Sequence, residues 1–365
     1  MRIRSVFLLW LVGFILLTLV SCAKTPTLET EVHSPISTPA SLAVSPVSTP
    51  AVWDFGAGRL LFISDRENGD LRWHSMALDG GDVQAMPFPR DMQIVELKWV
   101  SPLRAFVAVL RVDGGENLYL IDGFGNILRQ LTTSPDNKDS AAYSKEADAF
   151  AFVCLGQDLD ICTVPASGGE TTTVFSSFAR ETSPVWSPDG EKLLFVSNHS
   201  GVPDVWRVDA DGQNPVNLTQ TGQPHGEPSW SPDGKKILFT SQRDFNWEVY
   251  VMDMDGKNPV NLTNNPARDI GPQWSPDGAY IAFRSDRTGD DDIYVMKADG
   301  TDLVNLTNTP SVSEVVFSWS PDGTQILYVS AVGGSMDIYA VNRDGSGTVN
   351  LTNHPANDVG VQWIH

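Results

Sequence analysis

Acidic, basic and imidazole side chains recur in this chain at one fixed place. Lys138, Glu181, His225, Asp269, Glu314 and Asp358 each stand five residues ahead of an aromatic residue, with Arg180, Glu227 and Arg268 beside them. Such a crown of mixed charge is suited to holding a polar ligand or a partner surface, and these are the candidate binding residues. It does not read as a catalytic site. The chain has no Gly-x-Ser-x-Gly nucleophile elbow, which a serine hydrolase would need. A metal-dependent lyase would need several converging imidazoles, and only His225 and His354, with Gln362 nearby, lie in suitable loops. No catalytic residue, metal or cofactor is therefore assigned.

Other patterns carry simpler readings. Asp209 to Gly212 and Asp253 to Gly256 spell Asp-x-Asp-Gly, but lack the further acids and distal glutamate of a calcium loop. They read as hairpin turns. Asn-Leu-Thr begins at Asn217, Asn261, Asn305 and Asn350, in phase with a repeat, and reads as structural rather than as a glycosylation acceptor. Asp160, Asp204, Glu248, Asp292 and Asp337 are equally regular, and pairing with Arg243 and Arg287 is the expected reason. Cys154 and Cys162 flank a short loop where strand pairing could set them opposite each other, as a disulfide or as two buried thiols.

The elements that position these residues follow from the repeat. Trp186-Ser187-Pro188-Asp189-Gly190 recurs at Trp230, Trp274 and Trp319, with spacings of 44, 44 and 45. Trp363, Tyr143, Trp99 and Trp53 extend the series. A period of this length, with four short strand patterns per unit, is that of a propeller blade. In one unit, Ser231 to Gly234 is a turn, Ile237 to Thr240 and Glu248 to Met252 are paired strands, and Val260 to Thr263 is the outer strand. A four-stranded sheet cannot bury both faces alone, so the repeated tryptophan is expected between blades. The last segment, Val359 to His365, holds only an inner strand, and is expected to complete the blade whose outer strands start near Leu60. The fold class is thus all-β, a propeller of seven blades of four antiparallel strands closed by the C-terminal strand, with six blades as the alternative.

The pattern Pro-x-Trp-Ser-Pro-Asp-Gly, followed by Phe-x-Ser-x-Arg, Ile-Tyr-Val-Met and Asn-Leu-Thr, resembles the WD40-like repeats of the TolB propeller family. Its clearest units begin at Trp230 and Trp274, with Ser285-Asp286-Arg287 and Asp292 to Met296. The resemblance covers nearly all of the chain after residue 53, and implies partner contacts on the face that carries the crown. It extends only to the propeller half of that family, whose separate N-terminal α/β domain is replaced here.

What replaces it is an export signal and a tether. Arg2 and Arg4 precede the apolar run Val6 to Val20, which has the shape of a secretory h-region. Leu19-Val20-Ser21-Cys22 resembles the lipobox of bacterial lipoproteins, which implies acylation of Cys22 and anchoring to a membrane. Residues 1–21 are then the signal peptide, 22–52 a Pro/Ser/Thr-rich spacer, and 53–365 the propeller. With 25 basic and 45 acidic residues the net charge is −20, which disfavours nucleic acid as a partner. The expected role is a lipid-anchored, non-catalytic binding module of the bacterial cell envelope, facing outside the cytoplasm with a protein partner. Capture of an oligosaccharide or peptide ligand is the alternative, and a metal-dependent lyase the more remote one.

Overall fold

Why these short strands fold together is clearest at Ile237-Leu238-Phe239. Successive strand residues point to opposite faces. Ile237 and Phe239 pack with Leu194 and Val205 of the preceding sheet, while Leu238 packs with Ile281 and Phe283 of the following one. All of these side chains are fully buried, and each contributes about 1.5–3 kcal/mol through burial. A sheet with two apolar faces needs two neighbours, and a ring supplies them to every sheet.

The computed structural model describes residues 58–364, apart from 135–137, 156, 157, 310 and 316. It contains seven four-stranded antiparallel sheets, hereafter blades one to seven in chain order. Blade five is typical: inner strand His225–Trp230, then Lys236–Ser241, Glu248–Asp253 and the outer Val260–Asn261. The outer strand is shorter than the sequence suggests because Thr263 leaves the ladder, its hydroxyl accepting from the Val249 amide at 3.0 Å. Among the described residues the one helical element is the short 3-10 turn Ser101–Leu103, and no helix is long and apolar enough to cross a membrane.

Blade one closes the ring. Its inner strand is Asp358–Ile364, paired antiparallel with Arg59–Glu67 in the register Leu60↔Trp363 and Ser64↔Asp358. The C-terminal strand therefore completes the first blade, and no inner strand is left without a sheet. Trp53, the first aromatic mark, lies outside the described residues.

Three of the repeated tryptophans fasten neighbouring blades at their inner edge. Trp186 Nε1 donates to the Ala142 carbonyl at 3.2 Å, and Trp230 and Trp319 to those of Val185 and Gln273 at 3.3 Å. The turn that follows each needs its glycine. Gly190 has φ of 72°, and a Cβ there would stand 2.7 Å from the Ala147 amide of the blade before.

Candidate functional site

Each inner strand runs from a crown end, where the candidate residues stand, to a tryptophan end. In blade five His225 pairs with Ser241 and Trp230 with Ile237, so the crown lies beside the turn between the second and third strands. Arg59 and Ile364 are paired at the other end.

The structure divides the candidates in two. Glu181, His225, Asp269, Glu314 and Asp358 are fully buried. The physical reason is their position: each inner strand starts beneath the loop arriving from the previous blade. Two of the carboxylates are gripped by arginine. Arg287 Nη2 donates to both oxygens of Asp269 at 3.0 and 3.2 Å, and Arg66 holds Asp358 in the same way. Among the described residues no arginine grips Glu181 in this way. It accepts from Ser177 Oγ at 2.7 Å and Ser197 Oγ at 2.8 Å. Glu314 accepts from Thr309 Oγ1 at 2.6 Å and Ser330 Oγ at 3.0 Å. Burial pushes both carboxyl groups above their ordinary range.

His225 takes the place that an aspartate holds in blade six. Its Nε2 lies 2.7 Å from Thr221 Oγ1 and 3.8 Å from Asp204 Oδ1. Burial, helped by the Arg243 charge, pulls its pKa down to about 4, so the ring is neutral. His354, the other imidazole considered for a metal, has Nδ1 occupied as acceptor for the Ala356 amide at 3.0 Å. Among the described residues no group of three or more His, Cys, Asp or Glu side chains is arranged to hold a metal ion.

Arg180, Glu227 and Arg268 are exposed. Arg268 donates to Asp291 Oδ1 and Oδ2 at 2.8 and 2.9 Å. Glu227 sits at a bulge in the inner strand with φ of 50°, and its Oε2 accepts from the Gly271 amide of the next blade at 2.8 Å. Glu96 repeats this link, accepting from the Ser140 amide at 3.1 Å. Two further residues at this end, not singled out by charge, are Phe178 and Phe245, which are 91% and 101% exposed. The signal for Phe245 was available in the repeat, since Gly201, Gly289 and Gly334 occupy the same place in other blades.

The regular acids have a different partner from the one expected. Asp204, Asp292 and Asp337 are held by Asn-Leu-Thr of their own blade, not by arginine. Asn305 Nδ2 and Thr307 Oγ1 donate to Asp292 at 2.9 and 3.0 Å, and Asn350 and Thr352 do the same to Asp337. Arg243 and Arg287 instead stack on aromatic rings, their guanidinium carbons 4.5 and 4.6 Å from the Tyr250 and Tyr294 centroids. Cys154 and Cys162 are joined by a disulfide, with Cα atoms 5.8 Å apart. The register sets them diagonally, Cys154 facing Asp160 and Cys162 facing Phe152, rather than directly opposite. Cys22 lies outside the described residues, as does the whole proposed signal peptide and tether.

Two hollows open at the tryptophan end. One, of about 580 Å³, is lined by Trp99, Tyr143 and Trp186 with Lys98, Lys145 and Glu146. The other, of about 460 Å³, is lined by Trp319, Trp363 and Gln362 among others. Aromatic faces beside polar groups at this end were not anticipated, because the tryptophans read as purely structural.

Comparison with known proteins agrees with this architecture. Residues 223–314 match the family model described as PD40, the TolB beta propeller domain. The uncharacterized protein Atu1656 of Agrobacterium fabrum is 30% identical over 127 residues, which span 33% of this chain and 42% of that relative. TolB from Acinetobacter baumannii is 19% identical with a TM-score of 0.53, over 80% of this chain and 78% of that one. An oligogalacturonate lyase solved with manganese is 18% identical with a TM-score of 0.60, over 82% of this chain and 86% of that one. At these identities the solved structures speak to fold alone. The chain is thus a seven-bladed β-propeller similar in fold to TolB, and its residues 223–314 match the PD40 repeat of that family.

Proposed function

We propose that the chain is a lipid-anchored, non-catalytic protein-binding module of the bacterial cell envelope, and that its partner docks on the crown end. The observation that carries this reading is the division of the crown. Its buried members are tied into bonds within their own blade or to the preceding blade and its outgoing loop, whereas Arg180, Glu227 and Arg268 remain exposed on one surface with Phe178 and Phe245. Exposed charge interspersed with apolar tips has the composition of a protein-docking surface. Anchoring rests on Cys22 and the apolar run before it. Crosslinking followed by affinity recovery from membranes tests the role. An Arg180→Ala, Glu227→Ala double variant should recover at least tenfold less of the envelope polypeptide caught by the parent chain. Equal recovery contradicts the crown assignment. Cys22→Ala should release the protein from membranes or block its processing.

A second reading has a specific observation in its favour. The hollow lined by Trp99, Tyr143 and Trp186 pairs ring faces with Lys98, Lys145 and Glu146, a combination suited to an oligosaccharide. Isothermal titration with a panel of neutral and acidic oligosaccharides distinguishes the two. Binding that is lost in Trp99→Ala and kept in the crown variant would favour capture of sugar.

A further inference from the structure

Phe245 stands where its sister blades use glycine. The turn after the second strand is the same in four blades. The amide of Gly201, Phe245, Gly289 or Gly334 donates to the carbonyl three residues before it, at 3.0 Å for Phe245 and 2.9 Å for the others. All four have positive φ: 99°, 77°, 110° and 95°. Glycine adopts this region freely, whereas a bulky side chain is strained in it. Blades five and six also share the surrounding scaffold, with Arg243 and Arg287 lying 5.5 Å from the centroids of Phe239 and Phe283. Nothing in the turn itself therefore calls for phenylalanine. Its ring is fully exposed, so it gains no burial to offset the strain. A strained, solvent-facing aromatic residue at a glycine position points to selection for something outside the chain.

Phe178 gives a second, independent instance on the same end. It lies in the loop that enters blade four, two residues before exposed Arg180, and its ring is 91% exposed. Charge narrows what these rings meet. The exposed charges at this end are mixed, with Asp70, Asp113, Asp244 and Glu227 beside Arg111, Arg180 and Arg268, within a chain of net charge −20. A second copy of this chain, or an anionic lipid surface, would be repelled, and a cationic polypeptide attracted. The strand that begins at Arg59 starts from the opposite end of the ring.

We propose that Phe178 and Phe245 are paired anchors that dock a polypeptide carrying positive charge and apolar side chains. The inference rests on the protein-binding reading above and names the chemistry of the partner. Each ring would enter an apolar pocket of that partner, while the acidic side chains at this end meet its lysine or arginine side chains.

The test uses the full chain in detergent, panned against a random dodecapeptide library displayed on phage. Enriched peptides should be cationic and bear aliphatic or aromatic residues, and their binding should weaken at higher salt. Phe178→Ser with Phe245→Gly should reduce the affinity at least tenfold. Phe245→Gly alone should melt at the parent temperature or above it, because it restores the residue found in the sister turns. A lower melting temperature would assign Phe245 a packing role and overturn the inference. Peptides that bind parent and double variant alike, but not the Arg180→Ala, Glu227→Ala variant, would overturn the anchors while leaving the protein-binding reading intact. No enrichment of any peptide would overturn both. Phenylalanine-dependent flotation with phosphatidylglycerol vesicles would replace the polypeptide with a lipid surface.

Discussion

Arg66 Nη2 donates to both carboxylate oxygens of Asp358, at 2.9 and 2.8 Å, and so joins the first described strand of the ring to the last. The two residues are 292 positions apart. Asp358 is fully buried, so removing it leaves a guanidinium without its counter-charge in a largely dry site. Asp358→Ala should cost about 3–5 kcal/mol of stability, the usual effect of breaking one side of a buried pair. Asp269→Ala removes an equivalent bond from inside blade six. Both variants should unfold earlier in urea. Only Asp358→Ala should raise hydrogen exchange in strands Arg59–Glu67 and Asp358–Ile364 together. Exchange confined to one of those strands would argue against closure through this pair.

Asp292 and Asp160 occupy the same repeat position but should respond oppositely to the same change. Asp292 accepts from Thr288 Oγ1, Asn305 Nδ2, Thr307 Oγ1 and the Thr309 amide, at 2.5 to 3.3 Å. An amide nitrogen in place of one oxygen would face donors, so Asp292→Asn should cost about 2–3 kcal/mol. Asp160 has one buried oxygen with no partner among the described residues, and burial raises its pKa. Asp160→Asn should be neutral or stabilising. Thermal melts of the two variants, run side by side, check the pair.

His225 gives the fold a defined response to acid. Its pKa falls from 6.5 in the unfolded chain to about 4 in the folded one, through burial first and the Arg243 charge second. Between those values the unfolded chain binds a proton that the folded chain refuses. The stability contribution is therefore present above pH 6.5 and lost as pH falls toward 4. Glu181 and Glu314, with raised pKa values, titrate in the opposite sense. The comparison that isolates the histidine is parent against His225→Asn. Their difference in unfolding free energy should shift by about 1–3 kcal/mol against the parent across that window. A constant difference would show that His225 is not buried neutral.

The Cys154–Cys162 bond closes a small loop within blade three, with a sequence separation of 8. Loop closure of that length is worth about 2–3 kcal/mol by the chain-entropy relation. Cys154→Ser with Cys162→Ser should lower stability by that amount without altering the circular dichroism of the sheets. Mass spectrometry of an unreduced digest reads the bond directly.

The ring itself was legible because it is written many times over. Eight tryptophan or tyrosine marks, separated by seven intervals, fix the period, and an inner strand without its own sheet at Val359 to His365 fixes the closure. The site was less legible. Charge at the start of each inner strand reads as an accessible binding crown, but the path of the incoming loop decides burial, and it covers Glu181, His225 and Asp269. The partner of the regular acids was missed for a related reason. Asn305 and Thr307 lie 13 and 15 residues from Asp292, within reach only once the third and fourth strands pair. Departures from the repeat hold information that a search for charge alone passes over, as Phe245 among its sister glycines illustrates.

The most direct measurement is photocrosslinking in intact cells, with a photoreactive residue placed either at position 180, on the crown end, or at position 254, on the tryptophan end. The account predicts a discrete crosslink to an envelope polypeptide from position 180 and none from position 254. A polypeptide crosslink from 254 alone, or from neither position, would contradict binding through the crown end.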